Sequence, residues 1–436
     1  MNDKAHPAQK LYPEYQHLSL PKVDEDVLKF WEENDIFARS ISTREGQPDF
    51  VFYEGPPSAN GLPGIHHFMG RAIKDIFCRY KTLKGFRVER KAGWDTHGLP
   101  VELKVESEMN ITKEDIGKKI SIEDYNKACR ETVMRFKDTW NDVTQKMGYW
   151  VDLDDPYVTY DNKYIETCWW ILRQMFDKGL LYKGYSIQPF SPAAGTGLSS
   201  HELNMPGSYR KVTDTTIVAQ FKAVRDAKSD FLFEKAEGDV FFLAWTTTPW
   251  TLPSNTALAV GKGIRYVQVN TTNPYTDKPV SIIMAEPLHA KILGLSKDAD
   301  GNLTGKIANK KIKVEIIREF KGSDLNGIHY EQLLPYVQPN GDAFRVIIGD
   351  FVTTEDGTGI VHIAPTFGAD DFRVAQQNDI PGIMVEYPDG SQGPLVDRQG
   401  RFVKEMGDFA GKYVKNYTDE DESAPGFRST DVQLAI

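Results

Sequence analysis

Residues 55–67 read Gly-Pro-Pro-Ser-Ala-Asn-Gly-Leu-Pro-Gly-Ile-His-His, a loop sequence between two regular segments. The apolar run Phe50–Tyr53 before it predicts a strand that ends at this loop. After it, apolar residues recur three and four positions apart, which predicts a helix that Gly85 terminates. These apolar residues are Met69, Ile73, Ile76, Tyr80 and Leu83.

A second strand is predicted at Phe86–Arg90, and it leads into Gly93-Trp94-Asp95-Thr96-His97-Gly98. Strand, loop, helix and strand form a βαβ unit, which builds a parallel sheet and places ligands at the carboxyl ends of the strands. Farther out, Val23–Phe37 predicts one amphipathic helix, and Ile122–Leu181 is helical in pattern. The aromatic anchors expected in that helical region are Trp140, Trp150, Trp169 and Trp170.

From about residue 205 the sequence changes to short β-rich runs separated by polar turns such as Ser296–Gly305, which predicts a mostly β second domain. The predicted strands are Thr215–Phe221, Val240–Trp245, Tyr266–Val269, Val280–Met284, Ile312–Ile317 and Arg345–Ile348. The fold class is therefore α/β, with a parallel sheet first and a β-rich part after it.

Composition excludes several classes of protein. The chain has 436 residues, 40% of them hydrophobic and 26% charged, with a formal net charge of −10, which is ordinary for a globular protein. No apolar run is long enough for a membrane span, and the polar first residues lack a signal core. Three separated cysteines predict neither a disulfide framework nor a zinc knuckle, so a reducing cytoplasm is expected.

The loop at 55–67 has the residue types of a phosphate site. Its glycines allow close backbone approach, and the helix start that follows offers free N–H groups beside His66 and His67. Asp95 can hold a substrate ammonium, and His97 can hydrogen-bond substrate or water. The alternatives are a plain turn with two surface histidines, an Asp95 that caps a helix, and a structural His97.

A second candidate site combines two distant segments. Thr246, Thr247, Thr248 and Thr251 stand among proline turns with Asn255, and stiff threonines can bound a small pocket with methyl and hydroxyl groups. Farther on, Gly357–Pro365 brings His362, and Asp371 follows as a carboxylate that could fix an amine. The alternatives are a strand rich in threonine and a helix N-cap at Asp370-Asp371.

These motifs together closely resemble the isoleucyl-tRNA synthetases, a branch of the class I aminoacyl-tRNA synthetases. The resemblance rests on residues 55–61, the histidine pair, Lys74-Asp75-Ile76 and residues 93–102. It implies a Rossmann-type catalytic domain that activates isoleucine with Mg·ATP and transfers the acyl group to tRNA(Ile). Pro56, Asp95 and His97 would then bind the amino acid. Gly64, His66 and His67 would face ATP, and the two histidines would be catalytic.

One departure from the family pattern lies at the helix start. The family carries His-x-Gly-His, whereas this chain has Gly64-Ile65-His66-His67, so the first and third positions are exchanged. We expect His66 to take over the role of the missing imidazole. The alternative is an inactive, degenerate site.

The second site resembles the editing domain inserted into isoleucyl-, valyl- and leucyl-tRNA synthetases. By this resemblance the threonines and Asn255 shape the pocket, His362 lines it, and Asp371 binds the α-ammonium of valine attached to tRNA(Ile). One methylene gives only about 1–3 kcal/mol of discrimination, and isoleucine against valine is the well-known illustration of this limit. Hydrolysis without an acyl-enzyme is expected, and neither metal ligands nor zinc cysteines are evident.

The resemblance divides the chain into four parts. They are an N-terminal helical extension at 1–45, the first half of the catalytic domain at 46–204, the editing domain at 205–415 and a linker at 416–436. Because no Lys-Met-Ser-Lys-Ser segment occurs, we expect a fragment that does not aminoacylate alone. We also expect it to be monomeric and cytoplasmic. Two other functions stay open, a free-standing editing deacylase and an inactive paralogue that acts as a binding module.

Overall fold

The computed structural model describes residues 17–211, 214–297, 303–307, 309–415 and 429–435. The chain forms two compact units that divide between Lys183 and Gly184. The expected domain boundaries stay predictions, and most of the expected linker, 416–428 and 436, lies outside the described residues.

The first unit is mainly helical around a small sheet. Its helices are α1 (Leu20–Glu33), α2 (Ile36–Ser42), α3 (Ile65–Leu83), α4 (Leu99–Met109), α5 (Ile122–Val133), α6 (Lys137–Lys146) and α7 (Asn162–Asp177). Its strands are β1 (Phe52–Tyr53), β2 (Arg90–Trp94) and β3 (Asp152–Val158), parallel and in the order β1-β2-β3.

The βαβ unit β1–α3–β2 confirms the parallel sheet. The second strand begins later than expected, at Arg90 rather than Phe86, and its residues Arg90, Ala92 and Trp94 are almost fully buried. Trp94 is a core residue, and Gly85 follows α3 with φ of 93°. The sheet therefore ends where Asp95 begins the next loop.

Three helical expectations for the first unit need correction. The helix predicted at Val23–Phe37 breaks at Asp35, whose φ of 49° is left-handed. Strand β3 interrupts the predicted helical region, and its Asp-Leu-Asp-Asp-Pro sequence carries no strand alternation. Trp169 and Trp170 lie on α7 with 67% and 64% of their surface exposed, so they are not core residues of this unit.

The second unit is mostly β, as expected. Its helices are α8 (Ser200–Leu203), α9 (Glu286–Leu293), α10 (Gly322–Leu325), α11 (Ala369–Gln377) and α12 (Thr430–Ala435). Its strands are β4 (Phe190–Ser191), β5 (Thr196–Gly197), β6 (Ile217–Lys222), β7 (Asp239–Thr246), β8 (Ala257–Val260), β9 (Arg265–Thr272), β10 (Pro279–Ala285), β11 (Ser296–Lys297), β12 (Leu303–Ile307), β13 (Lys310–Lys321), β14 (Arg345–Ile348), β15 (Ile360–Ile363), β16 (Val385–Glu386) and β17 (Gln392–Gly393).

Two sheets of the second unit position the candidate site. A seven-stranded sheet has the order β11-β12-β13-β9-β10-β7-β6, and a three-stranded sheet has the order β14-β8-β15. A shared core of side chains such as Phe221, Phe242, Leu258 and Ile283 packs between them. The six predicted strands are present, and β4, β5, β8, β11, β12, β15, β16 and β17 are additional. The predicted turn at 296–305 is instead bounded by β11 and β12.

Among the described residues, no helix is both long and apolar enough to cross a membrane.

Candidate active site

A cavity of about 490 Å³ opens in the second unit, where β7 and β15 end. Six of the seven residues predicted for the second site line it, and Asn255 lies behind its wall, bonded to His362. The lining residues are Trp245, Thr246, Thr247, Thr248, Trp250, Thr251, Phe351, Thr353, Glu355, Asp356, Gly357, Thr358, Gly359, Ile360, Val361, His362, Ala364, Phe367, Gly368 and Asp371. Segments more than 100 residues apart therefore meet in one cavity.

The threonine wall is built by the end of a strand and a proline turn. Strand β7 ends at Thr246, and the 3-10 turn Pro249–Ser254 follows. Thr246 Oγ1 accepts the backbone N–H of Thr248 at 3.1 Å, and the Thr251 hydroxyl donates to the Thr248 carbonyl at 2.8 Å. These local bonds fix the Thr246 and Thr251 hydroxyls, and Thr246 ends a strand while Thr251 lies in the turn.

Gly359 lets the opposite wall come close to β10. Its φ is 72°, and a Cβ there would lie 2.3 Å from Cβ of Ala285. A side chain at this position is therefore excluded both by the backbone conformation and by contact.

Asp371 is the carboxylate of the cavity. It lies in the first turn of α11, after the N-cap Gly368, and its Oδ2 accepts the backbone N–H of Ala364 at 2.9 Å. Burial raises its pKa to about 6, since the backbone donor compensates only in part. No cation pairs with Asp371 among the described residues, so its second oxygen can accept from a ligand.

His362 lies on β15 with only 7% of its surface exposed. Its Nε2 is 2.9 Å from Thr251 Oγ1, and its Nδ1 is 3.4 Å from Asn255 Nδ2. Burial lowers its pKa to about 4, so the imidazole is neutral at pH 7. Together with Asp371, the cavity offers one anionic group and several neutral hydrogen-bonding groups.

In the first unit, the two predicted histidines lie at the start of α3 and differ in their contacts and their exposure. His67 Nδ1 accepts the backbone N–H of Gly64 at 2.8 Å, and its ring packs edge-on against Trp140 at 4.7 Å. Burial, followed by the neighbouring His66, lowers the pKa of His67. The exposed His66 ring lies beside the His67 ring, with 3.8 Å between the ring centroids and 43° between the ring planes. His67 is thus fixed, whereas His66 faces outward.

The predicted amino-acid site brings two loops together. The backbone N–H of Asp95 donates to the Pro57 carbonyl at 3.1 Å, which places the loop with the half-buried Pro56 beside Asp95. Asp95 Oδ1 accepts the N–H of His97 at 3.3 Å, and His97 Nδ1 is 3.1 Å from Thr159 Oγ1. Helix α4 has Gly98 as its N-cap, so Asp95 does not cap it.

Sequence reasoning passed over two acidic groups beside these sites. Glu54 follows β1, is 3% exposed, and accepts hydrogen bonds from Lys74 and Tyr149. Asp431 on α12 is 1% exposed, and its Oδ1 accepts the backbone N–H of Trp250 at 2.9 Å in the threonine turn. Glu54 stands directly before the quoted loop and could have been found there, but nothing in the sequence points to Asp431.

Replacing Asp431 by Ala is expected to lower the free energy of unfolding by about 2 kcal/mol, because Trp250 N–H loses a charged acceptor in a buried place. Asp431→Asn should cost less than half of this. Its amide oxygen still accepts, and burial raises the Asp431 pKa despite the Lys415 Nζ atom 2.5 Å away. Urea unfolding measures both, with the exposed Asp408→Ala as control. Equal losses in the two Asp431 variants would contradict this.

No group of three or more His, Cys, Asp or Glu side chains arranged for a metal ion occurs in the described part of the chain.

Comparison with known proteins gives the class first. The family model for class I tRNA synthetases (I, L, M and V) matches residues 26–358, and the chain belongs to this family. The relatives within it carry the name isoleucine–tRNA ligase, which confirms the expected resemblance. That of Cytophaga hutchinsonii is 60% identical over 408 residues, covering 93% of this chain and 36% of its own length. That of Porphyromonas gingivalis is 55% identical, covering 98% and 38%. The chain thus spans little more than a third of these relatives.

Among solved structures, the editing domain of P. knowlesi cytosolic leucyl-tRNA synthetase covers 38% of this chain and 64% of its own. It is 14% identical to this chain, with a TM-score of 0.28.

Proposed function

We propose that this chain is part of an isoleucine–tRNA ligase that activates isoleucine with Mg·ATP, transfers it to tRNA(Ile) and hydrolyses valyl-tRNA(Ile). The support is the identity of 55–60% to relatives of that name over almost the whole chain. Its substrates, ATP and tRNA, are cytoplasmic, so we place it there, and we propose that it acts as a monomer.

The observation that carries the hydrolytic part is the cavity of about 490 Å³ that joins the free oxygen of Asp371 to the threonine wall. Asp371 has no cation partner in the part of the chain that the structure describes, and such a carboxylate is suited to the α-ammonium of an aminoacyl ester. Thr246 and Thr248 line the same cavity, where their hydroxyls can orient the ester and water, and the Thr251 hydroxyl holds the turn beside them.

The reaction proposed there is direct hydrolysis. Water attacks the ester carbonyl, the bond from that carbon to the tRNA oxygen breaks, and that oxygen takes a proton. Valine and tRNA with a free hydroxyl leave, and no acyl-enzyme forms. The chain's part is to hold the ammonium at Asp371 and the water near the threonine wall.

For activation, Asp95 would bind the α-ammonium of isoleucine beside Pro56, and His97 would support it. Gly64, His66 and His67 would bind ATP, since the first turn of α3 offers free N–H groups and the outward ring of His66. The proposed function is tested by deacylation of Val-tRNA(Ile) and Ile-tRNA(Ile) with this chain, and by ATP–pyrophosphate exchange with the complete gene product. Deacylation without exchange would favour a free-standing editing hydrolase, and loss of both a binding module.

Replacing His66 by Ala is expected to lower isoleucine-dependent ATP–pyrophosphate exchange of the complete gene product about 10- to 100-fold, because a donor to the phosphates is removed. His67 keeps its own place, because its ring is fixed by the Gly64 N–H and by the edge-on contact with Trp140, so it does not move into the position of the lost His66 ring. The exposed His17→Ala is the matched control and should exchange normally. If the His66 variant catalysed ATP–pyrophosphate exchange at the parent rate, His66 would not have taken over the role of the missing imidazole.

A further inference from the structure

Tyr330 begins a chain of hydrogen bonds that reaches the cavity without being part of its lining. Its hydroxyl donates to Asn255 Oδ1 at 2.7 Å, and its ring is 2% exposed, edge-on to Phe221 and Phe344. Asn255 Nδ2 faces His362 Nδ1 at 3.4 Å, and His362 Nε2 faces Thr251 Oγ1 at 2.9 Å. The chain ends at the Thr248 carbonyl, 2.8 Å from the Thr251 hydroxyl oxygen.

The groups at the two ends of this series of hydrogen bonds determine which atom donates and which accepts at each step. The Ala257 carbonyl lies 2.9 Å from Asn255 Nδ2, so the amide must turn its N–H side there and its oxygen toward Tyr330. The second N–H of Asn255 has two acceptors in reach, His362 Nδ1 at 3.4 Å and the Ile363 carbonyl at 3.5 Å, and we assign it to the nearer His362 Nδ1. At the other end, Thr251 has one hydroxyl proton and gives it to the Thr248 carbonyl, which only accepts. Thr251 must therefore accept from His362.

We propose that Tyr330 and Asn255 are positioning residues that hold His362 in the tautomer with its proton on Nε2, so that the imidazole donates to Thr251 and does not act as the base of the hydrolysis. With Nδ1 occupied by the Asn255 amide and Nε2 carrying the proton, neither nitrogen has a lone pair for a proton from water. The pKa of about 4, caused by burial, agrees with a neutral ring.

The role of the ring is then to place the threonine turn. His362 fixes the Thr251 hydroxyl, which in turn holds the Thr248 carbonyl and the bend between them. This catalytic consequence rests on the proposed deacylase function, whereas the tautomer itself does not.

The test of the tautomer is NMR of the chain labelled with ¹⁵N-histidine, with the His362 signals identified by their loss in His362→Gln. We expect the proton on Nε2 in the parent chain and a mixture of tautomers in Tyr330→Phe, which loses only the hydroxyl. The exposed Tyr275→Phe is the control and should match the parent. A proton on Nδ1 in the parent, or an unchanged ring in Tyr330→Phe, would overturn the proposal.

Asn255→Asp gives a second reading that does not depend on Tyr330→Phe folding well. A carboxylate accepts only, so it should draw a proton onto His362 Nδ1, visible in the same spectra. If His362 Nδ1 stays unprotonated in this variant, the proposed order of donors and acceptors is wrong.

The catalytic consequence is read from His362→Gln, whose amide can donate to Thr251 but cannot serve as a base. We expect its rate of Val-tRNA(Ile) deacylation to stay within about tenfold of the parent, against a loss of about 10²–10⁴-fold when a general base is removed. A loss in the larger range would overturn the proposal. If the parent shows no deacylation while the tautomer is as stated, the proposed function fails and the positioning of His362 stands.

Discussion

Asp371→Asn is expected to lower kcat/KM for deacylation of Val-tRNA(Ile) by about 10²–10³-fold, because removing one partner of a buried charge pair costs about 2–5 kcal/mol. The amide keeps the size of the carboxyl, and its oxygen can still accept the Ala364 N–H. Only the negative charge that would meet the α-ammonium is lost. The loss should therefore appear with a substrate that carries a free amino group and shrink with an N-acetylated one.

Asp370 provides a matched control, one residue away. Its carboxylate is 69% exposed and pairs with Arg373 at 3.3 Å, outside the cavity lining. Asp370→Asn should deacylate like the parent. Normal deacylation in the Asp371 variant would refute the assignment of the ammonium site.

Acidification is expected to change the free energies of unfolding of His362→Gln and Asp371→Asn, relative to the parent, in opposite directions. The unfolded chain binds a proton at His362 below pH 6.5, whereas the folded chain binds it only near pH 4, so this group removes stability as the pH falls through that range. Asp371 does the reverse. Its folded carboxyl is protonated near pH 6 and its unfolded carboxyl near 3.8, so it adds stability as the pH falls.

A difference of one in pKa corresponds to about 1.4 kcal/mol, so each group contributes about 3 kcal/mol and the two nearly cancel. Relative to the parent, His362→Gln should gain about 3 kcal/mol between pH 7 and pH 4, and Asp371→Asn should lose about 3 kcal/mol. Urea unfolding followed by circular dichroism at the two pH values measures both. If both variants changed in the same direction, the opposite effects of burial on the pKa values of His362 and Asp371 would be contradicted.

Local patterns predicted the elements whose residues carry their own signal. Helix α3 follows from its spacing of apolar residues, and strands such as β7 and β13 from their β-rich runs. Strand β3 was not predicted because Asp154, Asp155 and Pro156 are poor strand formers, and they lie in the irregularity between Asp152 and Tyr157, the residues that pair with β2. The break at Asp35 depends on one left-handed residue, which a periodicity argument does not see.

The residues of the candidate site also fall into two groups, those that the sequence indicates and those that it does not. The threonines, His362 and Asp371 stand in segments whose composition marks them, and the structure brings these segments into one cavity. Tyr330 and Asp431 carry no such mark. They act through Asn255, 75 residues away, and Trp250, 181 residues away, and such partners are known only once the chain has folded.

The ammonium of Lys415 joins two carboxylates, Asp214 before β6 and Asp431 on α12, at 2.8 Å and 2.5 Å. A shortened gene that stops after residue 415 would thus encode a β-rich body whose Trp250 amide and Lys415 side chain have each lost a partner. Anyone who excises this body for crystallisation or inhibitor screening should carry the boundary on through residue 435.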